Sequence, residues 1–174
     1  MTITDRFYHC EKGSVAIEAV FVLMFFSGLF IYTFQQAYTM VLNYSAEKIA
    51  SQAVGIISQR AILFNDKNLQ AKDIELLRKH IPAIADPGDV LFDLHVEEIA
   101  YQTGEYSVVH IPAKSGSQCT LRKKLSDYNF SVKTSFAKNN SIYRVTACKK
   151  ITSMYYSDDE LVIGSSMVMP GYHH

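Results

Sequence analysis

The sequence predicts an α+β chain: a long N-terminal helix, membrane-spanning over its first part, whose C-terminal half packs on a small antiparallel sheet. Three observations predict it. The 20 residues from Val15 to Phe34 include only Glu18, Ser27, Gly28 and Thr33 outside the hydrophobic set. A polar helical pattern without proline continues to Phe64, and period-two patterning with turn clusters takes over after residue 90.

Composition excludes several classes of function. The 174 residues carry 17 basic and 17 acidic side chains, a net charge of zero, so no strong positive field favours nucleic acid. Charged residues at 20% and aromatics at 12% argue for a folded domain with a real core rather than disorder. Three cysteines are too few for a disulfide-dense miniprotein, and no C-x-x-C pair suggests structural zinc. There is no nucleophile elbow, P-loop, H-E-x-x-H or dinucleotide fingerprint, so neither an enzyme nor a cofactor is expected.

After Glu18 the next charge is Glu47, an interval of 28 residues. That is enough for a helix crossing the hydrocarbon core, which needs about 20 apolar residues, and the span is placed at about 15–36. A cleaved secretory signal fits poorly, because the apolar run exceeds the roughly 7–15 residues of a signal core and Gln35-Gln36-Ala37-Tyr38 offers no small-residue cleavage site. A buried helix of a soluble protein would have to be enclosed on all sides by a small head.

From Gln35 to Phe64 apolar residues recur at Ala37, Val41, Tyr44, Ile49, Ala53, Ile56, Ile57 and Ala61, close to a helical period. Residues 14–64 thus read as one helix of about 50 residues, roughly 75 Å at 1.5 Å per residue. The head follows over 65–174. A second helix is expected over 67–80, ended by Pro82 and the cluster Asp86-Pro87-Gly88-Asp89. Strands are expected at 90–96, 106–111, 128–136 and 142–148, with a last one near 161–168.

Glu18 is the most informative residue of the span. An acid at mid-bilayer costs roughly 2.5–3.5 kcal/mol, less near an interface, so it needs a partner or a function; the bland alternative is that it snorkels to the headgroups. It lies five residues after Gly13, behind the polar segment Asp5 to Lys12. Gly13-Ser14-Val15-Ala16-Ile17-Glu18 resembles the type IV prepilin cleavage motif. With Tyr143-Arg-Val-Thr-Ala-Cys148 and Gly164-Ser-Ser-Met-Val-Met-Pro-Gly171, it makes the chain similar to the minor pilins, or pseudopilins, of the tight adherence (Flp) pilus, and more to the TadF than the TadE type.

That resemblance implies a leader, residues 1–13, removed by a prepilin peptidase between Gly13 and Ser14, with Glu18 setting registry in the assembled helix bundle. It also implies the partners: the peptidase, the major Flp pilin and other minor pilins, inner-membrane platform proteins and membrane lipid. Leader removal discards Cys10 and leaves Cys119 and Cys148 as an even pair in a head expected in the periplasm. A bridge between them is worth roughly 3–4 kcal/mol in the chain-entropy account; two buried free thiols are the alternative. The N-terminus is placed in the cytoplasm by the resemblance, since Arg6 and Lys12 before the span and Lys48 and Arg60 after it leave the positive-inside rule nearly undecided.

Two further groups stand out. Arg122, Lys123 and Lys124 follow one cysteine and Lys149 and Lys150 the other, so a bridge would draw five cations together, either as a docking patch or as a solvated face. His95 and His110 are placed to face each other on neighbouring strands, but without a third ligand signal no metal is expected. The rival to a minor pilin is a single-pass anchored binding or regulatory domain, with a type II secretion pseudopilin as a close relative of the first reading.

Overall fold

In a computed structural model of the chain, residues 11–59, 69–70, 77, 79–81, 92–100, 103–113, 119–128, 140–152 and 160–171 are described, with side-chain surroundings from residue 15 onward. Helix α1, Glu11–Ser58, runs through the apolar segment without a break. No proline interrupts it, and its serine and threonine hydroxyls donate back to carbonyls one turn earlier: Ser27 to Leu23 (2.7 Å), Thr33 to Phe30 (2.9 Å), Thr39 to Gln35 (2.9 Å) and Ser45 to Val41 (2.9 Å). These groups therefore spend their donors internally, as an apolar medium requires. The helix ends at Ser58, with Gln59 N–H turning back to Ile56. The expected continuation to residue 64 lies outside the described residues.

The chain divides into two compact units between Met40 and Val41. In the first, every large apolar side chain from Val15 to Phe34 is exposed, Met24 at 72% and Phe30 at 71%. In the second, Leu42, Ala46, Ile49, Ala50, Ala53, Val54 and Ile57 form the buried stripe of α1. That stripe is narrower than the sequence pattern suggested: Val41 and Tyr44 are exposed at 62% and 69%. At about 100° of turn per residue they lie roughly 100° and 160° from Leu42, off the face that packs.

The sheet holds four antiparallel strands in the order β2-β1-β3-β4, with β1 Asp93–Ile99, β2 Tyr106–Ile111, β3 Ile142–Thr152 and β4 Glu160–Pro170. One face presents Leu94, Val96, Tyr143, Val145, Ala147 and Ile163 to the α1 stripe, and together they form a hydrophobic core among the described residues of this unit. Ala46, Ala50 and Ala53 are each fully buried in it. Leu77 and Ile81 join this core, and residues 77, 79 and 80 are helical, in the expected second helix, whereas Leu69 and Gln70, within the expected 67–80, are not helical; its remaining residues lie outside the described set.

Turn chemistry fits the strand ends. Gly104 adopts φ +68°, which a residue with a side chain rarely accepts, and its N–H closes the β1–β2 hairpin onto the Ala100 carbonyl at 2.8 Å. At the far end of the β3–β4 pair, Gly171 N–H reaches the Ser141 carbonyl at 2.8 Å and the Asn140 amide donates to the Gly171 carbonyl at 2.6 Å. Of the expected strand 128–136 only Tyr128 is described, and its backbone is extended.

Candidate functional site

Two regions carry the chemistry. The first is the start of α1. Gly13 and Ser14 lie inside the helix. Glu18 is exposed, four residues or about 6 Å of helix rise beyond Ser14. Among the described residues none forms an ion pair or hydrogen bond with it.

The second region is the sheet face turned away from α1. Because strand side chains alternate, Asp93, His95 and Glu97 of β1 share this face with Arg144, Thr146 and Cys148 of β3. Three acids in one strand, Asp93, Glu97 and Glu98, are each fully buried. Burying a carboxylate is costly unless it is satisfied; both oxygens of Asp93 and of Glu97 accept hydrogen bonds, and Glu98 accepts through Oε2.

Asp93 accepts the N–H of Ala113 at 2.6 Å and of Cys119 at 3.0 Å. Cys119 is bonded to Cys148, the residue directly opposite Asp93, with Cα atoms 6.1 Å apart. A third tether comes from His95, whose Nε2 donates to the Cys119 carbonyl at 3.0 Å. A carbonyl can only accept, so the proton sits on Nε2. Burial, and then the neighbouring His110, hold the His95 imidazole below its ordinary pKa of 6.5.

Glu97 organises the adjoining turn. It accepts from the Arg144 guanidinium directly opposite, from the Tyr106 hydroxyl at 2.8 Å and from Leu125 N–H at 2.9 Å, at the head of the 3-10 turn Leu125–Asp127. Arg144 also donates to the Lys123 carbonyl at 2.6 Å. Burial and the Glu97 carboxylate push the Tyr106 phenol well above its ordinary range, so it stays a donor. Glu98, on the α1 side, accepts from Leu69 N–H and from Ser107 at 3.4 Å.

The His95 and His110 rings are stacked, centroids 4.4 Å apart. The Asp93 carboxylate and the two cysteine sulfurs lie within 4.8 Å of one another, a set that thiolates would turn into a soft-metal site. Joined as a disulfide the sulfurs offer no thiolate, and both carboxylate oxygens already accept N–H groups.

Lys123 is tied by its carbonyl to Arg144, whereas Lys149 and Lys150 lie five and six residues further along β3, about 17–20 Å at 3.3–3.4 Å per residue. Lys150 pairs with Glu160 on β4. Sequence reasoning overlooked the acids of β1; the signal available was an acid-rich strand facing a β-strand arginine.

A helix bare and apolar over its first half, followed by a small antiparallel sheet closed by a disulfide, is the α+β arrangement of a pilin. The family described as "TadF: Putative tight adherence pilin protein F" matches residues 6–168, and the chain belongs to that family. It is accordingly a pilin-class structural protein of the tight adherence pilus, with a membrane-anchoring helix and other pilins among its partners. No curated protein and no solved structure is a significant match.

Proposed function

We propose that the chain is a minor pilin or pseudopilin of the tight adherence pilus, inserted in the inner membrane with its head in the periplasm. A prepilin peptidase removes residues 1–13, and α1 then packs laterally among major-pilin helices to initiate, cap or regulate the fibre. The observation that carries this reading is an acid on a bare apolar helix with no partner among the described residues: Glu18 is exposed one turn inside the Gly13–Ser14 bond.

Cleavage turns the amide nitrogen of Ser14 into an ammonium. Its own Glu18 is about 6 Å of rise away, and the glutamate of a neighbour in a bundle is an equally suitable partner. In a low-dielectric bundle such a pair is stronger than in water, and each unpaired charge is costly, so the pair rewards one axial register and penalises others. In the second unit Val41 and Tyr44 are further apolar side chains of α1 that stay exposed.

Glu18→Gln tests the reading. The variant is expected to insert and to be processed as the parent is, yet to fail to recover from sheared pili or from pilin cross-links. Normal incorporation of the glutamine variant would remove the registry role.

A further inference from the structure

The turn carrying Arg122, Lys123 and Lys124 is more rigidly built than a solvated basic loop requires. Its backbone is fixed by the Cys119–Cys148 disulfide, by Leu125 N–H on Glu97 and by the Lys123 carbonyl on Arg144. All three cationic side chains are exposed, and among the described residues no carboxylate pairs with them. The acids nearby are committed elsewhere: Glu97 to Arg144 and two further donors, Asp127 to Lys124 N–H at 2.9 Å. Two tyrosines flank the cations, with Lys123 Nζ 5.9 Å from the Tyr128 ring and Lys124 Nζ 6.0 Å from the Tyr106 ring.

We propose that this turn is a binding site for an acidic polysaccharide, in which Arg122, Lys123 and Lys124 pair with sugar carboxylates and the exposed Tyr128, whose ring carries the Arg144 guanidinium at 5.5 Å, borders the sugar ring. A turn whose backbone is already held presents its cations without losing loop freedom on binding. Aromatic faces beside cations suit a sugar better than a bilayer. A lipid-docking turn needs aliphatic side chains to insert, and here Leu125 is fully buried, Leu121 is half-buried and the exposed residues of 119–128 include no aliphatic one. The site belongs to the head and does not depend on whether α1 enters a fibre.

The experiment uses the full chain in non-ionic detergent, with polygalacturonate as the anionic probe and dextran as the neutral one. Polygalacturonate is expected to bind, with an affinity that falls as salt rises, and dextran is not. The R122A/K123A/K124A variant is expected to bind at least about tenfold more weakly, and Y128A to lose affinity while keeping the parent's salt dependence. Intact mass confirms the disulfide in each variant. Undiminished binding by the triple variant, equal binding of dextran, or displacement of the polysaccharide by inorganic phosphate at matched charge would overturn the assignment.

Discussion

Gly164 of β4 lies directly opposite Cys148 of β3, and a Cβ at residue 164 would stand 2.8 Å from the Cys148 Cβ and 2.7 Å from the Ala147 carbonyl oxygen. The β3 backbone and the Cys148 Cβ therefore occupy the space of the missing side chain, which gives the glycine opening the C-terminal motif a steric reason. Gly164→Ala has to move backbone rather than a flexible side-chain end. A loss of about 1–3 kcal/mol is expected, as for other overpacked sites, read from the denaturant midpoint of the detergent-solubilised chain. An unshifted midpoint would show that the strands can part at no cost.

The Glu97–Arg144 pair should be strongly coupled. Both side chains are buried, and each holds the same turn at a different point, Leu125 N–H and the Lys123 carbonyl. Arg144→Met leaves a buried carboxylate uncompensated and is expected to cost about 3–5 kcal/mol. Adding Glu97→Gln should return part of that loss. Strict additivity in the double-mutant cycle would mean that the two groups are held independently.

Stability should fall on mild acidification. His95 has a folded-state pKa below its ordinary 6.5, because burial and His110 oppose its charge. The unfolded chain thus takes up the proton first, so this contribution is complete above pH 6.5 and lost as the pH falls from there through the lowered folded value. In urea titrations at pH 7.5 and 5.5, His95→Gln is expected to have a smaller drop than the parent. An identical drop would assign the dependence to other groups.

Tyr44 and Val41 are exposed on α1 next to the buried stripe, where burial cannot account for their apolar character. Tyr44→Glu is expected to leave folding within about 0.5 kcal/mol, as surface changes usually do, while reducing cross-linking to other pilins. A fall in stability without loss of cross-linking would make Tyr44 part of the head's own packing.

Periodicity made the main elements legible. Unbroken apolarity marked the anchor, alternation marked β1 to β4, and Thr103-Gly104 marked the hairpin whose glycine takes φ +68°. The two features that misled were tertiary. Val41 and Tyr44 satisfy a loose helical period, yet only the sheet decides which part of an apolar helix is covered, and it covers Leu42, Ala46 and Ile49 instead. In β1, Asp93 and Glu97 look like solvent-facing positions of an alternating strand. They are buried because the turn 119–128 folds over them and spends its N–H groups on their carboxylates, a cover that strand periodicity cannot reveal.

The central claim is that cleavage after Gly13 converts an anchored precursor into an assembly-competent pilin by creating a charge one turn from Glu18. Its most direct test is the N-terminus of the mature protein, read by intact mass and N-terminal sequencing from cells with and without the prepilin peptidase. Ser14 is expected as the first residue when the peptidase is present, and residues 1–13 are expected to be retained when it is absent. The same N-terminus in both strains, or cleavage at any other bond, would contradict it.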